Sequence, residues 1–146
     1  MNKVFTIGFT GKNAECFFSL IEKNNIGKLI DVRLNNISQL AAFTKKDDLE
    51  YFLKKLLSCE YSHRPDLAPT ETILKAYKAK TINWENYTSE YIKLLNSRNI
   101  ALNLKKDEIV NCVFLCSEHQ PEYCHRRLLV EYLQNKWNDI EIIHLV

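Results

Sequence analysis

Residues 109–127 read IVNCVFLCSEHQPEYCHRR and change character halfway along. The first eight, IVNCVFLC, are apolar nearly throughout, as a strand covered on both faces should be. From Cys116 to Arg127 the chain then carries two cysteines, two histidines, two glutamates and two arginines. Helical spacing resumes from about Pro121 and runs to Trp137, with Leu128, Leu129 and Tyr132 on the apolar side. A buried strand, a polar turn and a helix in this order form half of a βαβ unit. The final IEIIHLV supplies the second strand.

The same alternation extends toward the N-terminus. KVFTIGF (3–9) reads as a strand ended by Gly8 and Gly11. Asn13 is a helix cap for NAECFFSLIEKNN, whose Ala14, Phe17, Phe18 and Ile21 fall on one face. KLIDVRL (28–34) is a second strand. Thr44 followed by Asp47 resembles a capping arrangement opening KKDDLEYFLKKLLS, with Leu49, Phe52, Leu53 and Leu56 on one side. EYSH (60–63) is a short strand. Two further helices are expected, from about Thr70 to Ala79 and from about Asn83 to Ser97. Trp84, Tyr87 and Tyr91 recur at helical spacing and read as core, and Tyr51 and Phe52 as helix packing. The fold expected is α/β: a mostly parallel sheet with helices on both faces, in a single compact domain over residues 1–146.

Bulk composition narrows the function classes. Of 146 residues, 46% are apolar and 26% charged, and twenty basic against eighteen acidic side chains leave a formal charge of +2. That balance gives no general attraction to nucleic acid or to an anionic membrane; only a local patch could provide one. No apolar run approaches a membrane span, and MNKVFTIGFTG has no secretion signal, so a cytoplasmic location and no membrane partner are expected. Five cysteines at 16, 59, 112, 116 and 124 form no disulfide framework and should be free thiols. Cys16 and Cys112 lie in apolar runs and read as small core residues.

In open parallel sheets, ligands bind beyond the carboxyl ends of the strands. Those ends carry Thr10, Asp31, Arg33, His63, Arg64, Cys116, Ser117 and Glu118. Three chemistries compete for them. A metal would need clustered ligands, but seven residues separate Cys116 from Cys124 and there is no second knuckle, so none is expected, even with His63 and a carboxylate in reach. A reactive thiol is favoured by Cys124 in the first helical turn beside His125, Arg126 and Arg127. The apolar residues behind it argue for inward packing, with burial and the helix end nearly cancelling in its acidity. Anion binding is the strongest reading: Arg33 and Arg126 would grip a phosphate or carboxylate at the helix start. Against it, the arginines could pair with Asp31, Glu118 or Glu122 and only brace the loops. GFTG is too short for a dinucleotide fingerprint and no Walker sequence occurs, so no cofactor is expected.

TIGFTGK, LIDVRL, YSHRPDLAPT, INWENYTSEY and CSEHQPEYCHRRLL together resemble the bacterial and archaeal family known as domain of unknown function 488. The resemblance implies a compact α/β domain. It also implies that Gly8, Asp31, Arg33, Ser38, His63, Cys116, Glu118, Cys124, His125 and Arg126 are motif positions. The chain departs from the family pattern at LNNIS, where a proline would precede Ser38, and at Gln39, where a basic residue would follow it. The family name carries no reaction.

The function expected is therefore an anion-binding site at the strand ends. It would work by acid/base chemistry on an anionic small molecule or a nucleic-acid-borne group. Asp31, His63, Glu118 and His125 are the acid/base candidates, and Thr10, Arg33, Ser38 and Arg126 the substrate-binding ones. Cys116 and Cys124 are the candidate thiols, expected mainly to support the site. Two alternatives stand beside it. One is a binding or adaptor domain whose motif residues form a structural polar network. The other is thiol chemistry at Cys116 or Cys124; Asp-Val-Arg also occurs in rhodanese-like sulfurtransferases, but the short Cys-to-Arg loop of that fold is absent.

Overall fold

The computed structural model describes residues 2–37 and 42–146. Among them, five strands form one all-parallel sheet: β1 (Asn2–Gly8), β2 (Lys28–Asp31), β3 (Glu60–His63), β4 (Cys112–Cys116) and β5 (Ile140–Leu145). Their order across the sheet is β3-β2-β4-β1-β5. Strand parity sorts the side chains between two cores. Val4, Ile30, Val32, Cys112, Phe114, Cys116 and Ile140 face one core; Phe5, Ile7, Leu29, Val113, Leu115 and Leu145 face the other.

The connections divide in the same way. The second core is closed by α1 (Ala14–Lys23) and α2 (Lys46–Leu57) through Phe17, Phe18, Ile21, Leu49 and Leu53. The first is closed by α3 (Glu71–Lys78), α4 (Trp84–Ser97), α5 (Ile100–Asn103), α6 (Lys106–Ile109) and α7 (His125–Lys136). A right-handed crossover requires this division, because the chain moves outward from β1 to β2 to β3 and then reverses direction. β4 sits between two strands whose following connections leave on the opposite face. Loops therefore diverge at its carboxyl end and open a crevice there.

Local signals account for most element ends. The side chains of Asn13, Thr70 and Asn83 each accept a backbone N–H from three residues on, capping α1, α3 and α4. Several expectations are corrected. Thr44 does not cap α2: it is buried in a 3-10 turn (Ala42–Thr44), and Lys45 precedes the helix without a side-chain cap. Cys16 and Ala14 are exposed rather than core, since α1 buries only Phe17, Phe18 and Ile21. Tyr51 and Leu56 also point outward. The strand expected from Ile109 begins only at Cys112: Ile109 ends α6, and Asn111 turns the backbone at φ 60°. The last helix starts at His125, not Pro121. Cys124 is extended at φ −133°, ψ 139°, and its N–H donates to the Pro121 carbonyl.

Gly8 is where the β4–α7 loop meets the sheet. A Cβ at this position would lie 1.6 Å from the Glu118 carbonyl oxygen. The Thr10 N–H donates to the Ser117 carbonyl at 3.1 Å, stitching the two loops together. Only a residue without a side chain permits that approach. Gly8→Ala is expected to destabilise the protein by at least about 3 kcal/mol, read as a lowered urea midpoint, because backbone rather than a flexible side chain must move.

Candidate functional site

Cys116 ends β4 on the face covered by α4 and α7. Cys124, extended, and His125, the first helical residue, approach it from the start of α7. The Cys116 Sγ lies 3.5 Å from His125 Nδ1. Nε2 lies 3.7 Å from the same sulfur and 2.8 Å from the Val32 carbonyl oxygen. A carbonyl can only accept, so Nε2 carries a proton, and in the tautomer protonated at Nε2 alone Nδ1 is the acceptor facing the thiol. Tyr91 packs edge-on against the imidazole at 5.6 Å. All three cluster residues are nearly enclosed.

The two thiols are pushed in opposite directions. A hydrogen bond from Cys124 lowers the Cys116 thiol below its ordinary value, helped by the Ser117 amide and the charge of Arg126 against the effect of burial. The hydrogen bond to Cys116, together with burial, holds Cys124 well above its ordinary value. The near-cancellation expected at Cys124 is not met: its thiol is raised and acts as the donor, and the lowered thiol is Cys116.

These residues form the floor of a cleft of about 620 Å³. Leu34 and Asn35 wall one side and Leu74, Tyr77 and Lys78 of α3 the other, with Glu118 and Tyr123 also lining it. Glu118 is exposed.

Asp31 lies at the same edge of the sheet on the other face, where Arg33, itself a lining residue of the cleft, pairs with it. Ile30 and Val32 belong to the first core, so Asp31 points toward the second. Its oxygens accept from Arg33 Nε and Nη2, both at 2.9 Å, and from the Tyr61 hydroxyl at 2.6 Å. Arg33 Nη2 also donates to the Thr44 carbonyl at 2.6 Å, and the guanidinium lies over the Phe9 ring. Desolvation and the neighbouring carboxylate push the Tyr61 hydroxyl well above its ordinary value, so it remains a donor. His63 Nε2 donates to the Arg33 carbonyl at 2.8 Å and is outside the cleft walls.

Arg126 is wholly buried. Its Nη1 donates to the Glu118 carbonyl, Nη2 to the His119 carbonyl at 3.1 Å and Nε to Thr6 Oγ1 at 3.3 Å. Thr10 is exposed, with its amide tied to Ser117. Ser38 lies outside the described residues. Of the residues singled out in the sequence, Cys116, Glu118, Cys124, His125 and Arg33 line one cleft, and Arg126 braces the loop beside it. The grip expected of the two arginines is directed inward, to a carboxylate and to carbonyls.

Sequence reasoning missed Tyr61, Thr44 and Thr6. Strand parity could have found Tyr61: it pairs with Leu29 as His63 pairs with Asp31, which puts it on the Asp31 face. Thr6, the polar residue inside KVFTIGF, was a signal left unread.

A family model described as "Domain of unknown function DUF488" matches residues 13–133, well over half of the chain. The chain belongs to this family. No curated protein and no solved structure matches it significantly. No helix among the described residues is long and apolar enough to cross a membrane.

The Asp31–Arg33 pair is 0% and 4% exposed, so removing one partner leaves an unpaired buried charge. Asp31→Ala is expected to cost about 3–5 kcal/mol in urea unfolding. Tyr61→Phe, which keeps the ion pair and removes the hydrogen bonds to Asp31 and from Asn36, should cost about 1–3 kcal/mol.

Proposed function

We propose that this protein is a thiol-dependent enzyme, with Cys116 as nucleophile and His125 as its proton partner. The observation carrying this reading is the 3.5 Å approach of Cys116 Sγ to Nδ1 of His125, a ring oriented by its Nε2 bond to the Val32 carbonyl. A nucleophile, a base within reach and a third group orienting the base are what a covalent mechanism requires. The start of α7 adds the positive end of a helix dipole beside the sulfur.

In the step proposed, Nδ1 takes the thiol proton and the thiolate attacks an electrophilic centre held in the cleft. The leaving group departs with the bonding pair and collects a proton from His125 or Glu118. An anionic small molecule remains the substrate class, but its charge would be met by Lys78 of the cleft wall rather than by the arginines. The acid/base assignment thus narrows to His125 and Glu118, with Asp31 and His63 left to loop geometry.

The buried Asp31–Arg33–Tyr61 and Arg126–carbonyl networks favour the second reading, a non-catalytic binding domain braced by these residues. One experiment separates the two. Metal-free native protein is treated with iodoacetamide near neutral pH in the presence of a chelator, and each cysteine is followed by mass spectrometry. Exposed Cys16 serves as the ordinary thiol in the same molecule. Cys116 should be alkylated at least about tenfold faster than Cys16, and His125→Ala should remove that excess. Cys124 should stay slow. If Cys116 is no faster than Cys16, the nucleophile reading fails and the binding domain remains.

A further inference from the structure

Seven residues separate the two cysteines of the CSEHQPEYCHRR segment, and nothing in that spacing suggests a metal site. The fold removes the objection. Cys116 arrives from the end of a strand. Cys124 and His125 arrive from a point where the backbone passes from extended to helical, so that two sequence neighbours turn toward a common point. One ligand atom from each of the three lies within 4.8 Å of the others, and all three residues are buried.

We infer that Cys116, Cys124 and His125 form a binding site for a thiophilic divalent ion of the zinc class. The geometry fits. Zinc bonds of about 2.3 Å to sulfur and about 2.0 Å to nitrogen at a tetrahedral angle place the two ligand atoms roughly 3.6 Å apart. Cys116 Sγ lies 3.5 Å from His125 Nδ1 and 3.7 Å from Nε2, so the nitrogen-to-sulfur spacing is met. The thiol has only to swing toward the Nδ1 side to share an ion with it. The second requirement is a fixed histidine: the nitrogen away from the metal should donate to an oxygen, which sets the tautomer and the ring plane. Nε2 does so to Val32 at 2.8 Å. Third, two thiolates and a neutral imidazole balance a doubly charged cation, so the enclosed site acquires no net charge. Soft sulfur ligands with one imidazole select this class over calcium or magnesium. All three ligands line the cleft floor, so the fourth position faces the cleft and takes water or a small ligand.

The inference rests on the cluster that carries the proposed function and regulates it. Cys116 cannot hold a metal and attack a substrate at the same moment, so the metal-bound protein is the resting form and metal release frees the nucleophile. No redox change is involved: two thiol protons leave to solvent as the ion binds.

Metal-free protein is titrated with cobalt(II), which reports tetrahedral thiolate ligation by its visible bands and sulfur-to-metal charge transfer. One cobalt per chain should bind and be displaced by zinc. Cys124→Ser should weaken binding at least about 100-fold, while Cys16→Ser should leave it unchanged. Metal-free wild-type protein should still be alkylated at Cys116 faster than at Cys16, so losing the metal is separable from losing the thiol chemistry. In the wild type, which needs no variant to fold, zinc should protect both Cys116 and Cys124 from iodoacetamide. Absence of the tetrahedral thiolate spectrum, its persistence in Cys124→Ser, or zinc binding without protection of Cys116 each overturns the inference. Slow alkylation of Cys116 alongside an intact cobalt spectrum would instead overturn the nucleophile reading and leave the metal site standing.

Discussion

The guanidinium of Arg126 governs the arrangement of the site. It is wholly enclosed at the start of α7, and its three donating nitrogens reach a threonine in the middle of β1 and two carbonyls of the β4–α7 loop. A buried cation is tolerated only when its donors are satisfied, so the loop cannot leave without stranding it. That requirement fixes the backbone of residues 118 and 119 over Gly8 and sets where Cys124 and His125 stand relative to Cys116. The Arg126 charge also helps lower the Cys116 thiol, so one side chain serves both position and acidity.

Arg33 does comparable work on the opposite face. Its fork is closed by Asp31 and by the Thr44 carbonyl, which fastens the loop after β2 to the turn before α2. The carboxyl end of the sheet thus carries two polar assemblies separated by the sheet itself. Strand parity decides which is which: Cys116 faces α4 and α7, whereas Asp31 faces α1 and α2. Arg33 links the two, bracing Asp31 on one face while lining the cleft beside Cys116.

The sheet was legible in the sequence because its signals are local. IVNCVFLC is apolar enough to be central, Asn13, Thr70 and Asn83 cap as such residues do, and alternation of element types implies parallel pairing. The cysteine–histidine cluster was less legible, because its assembly depends on one residue. Cys124 reads as a first-turn residue when the helix is started at Pro121, and only the extended backbone seen there turns its sulfur toward Cys116. The partners of the arginines were harder still, since carbonyl oxygens have no sequence signature. A loop oxygen such as Glu118 O becomes an acceptor only once the fold has placed it.

The wall of the cleft formed by α3 has a consequence for dynamics. That helix has no fully buried residue; Ile73, Leu74 and Tyr77 only rest against the first core. The floor, by contrast, is built from β4 and α7, whose side chains are among the most enclosed in the protein. Local opening free energy follows the apolar area an element buries, so α3 can detach at a fraction of the cost of global unfolding. Access to the sulfur is therefore decoupled from the stability of the site that holds it. The wall of the cleft can loosen while β4 and α7 hold Cys116 against His125.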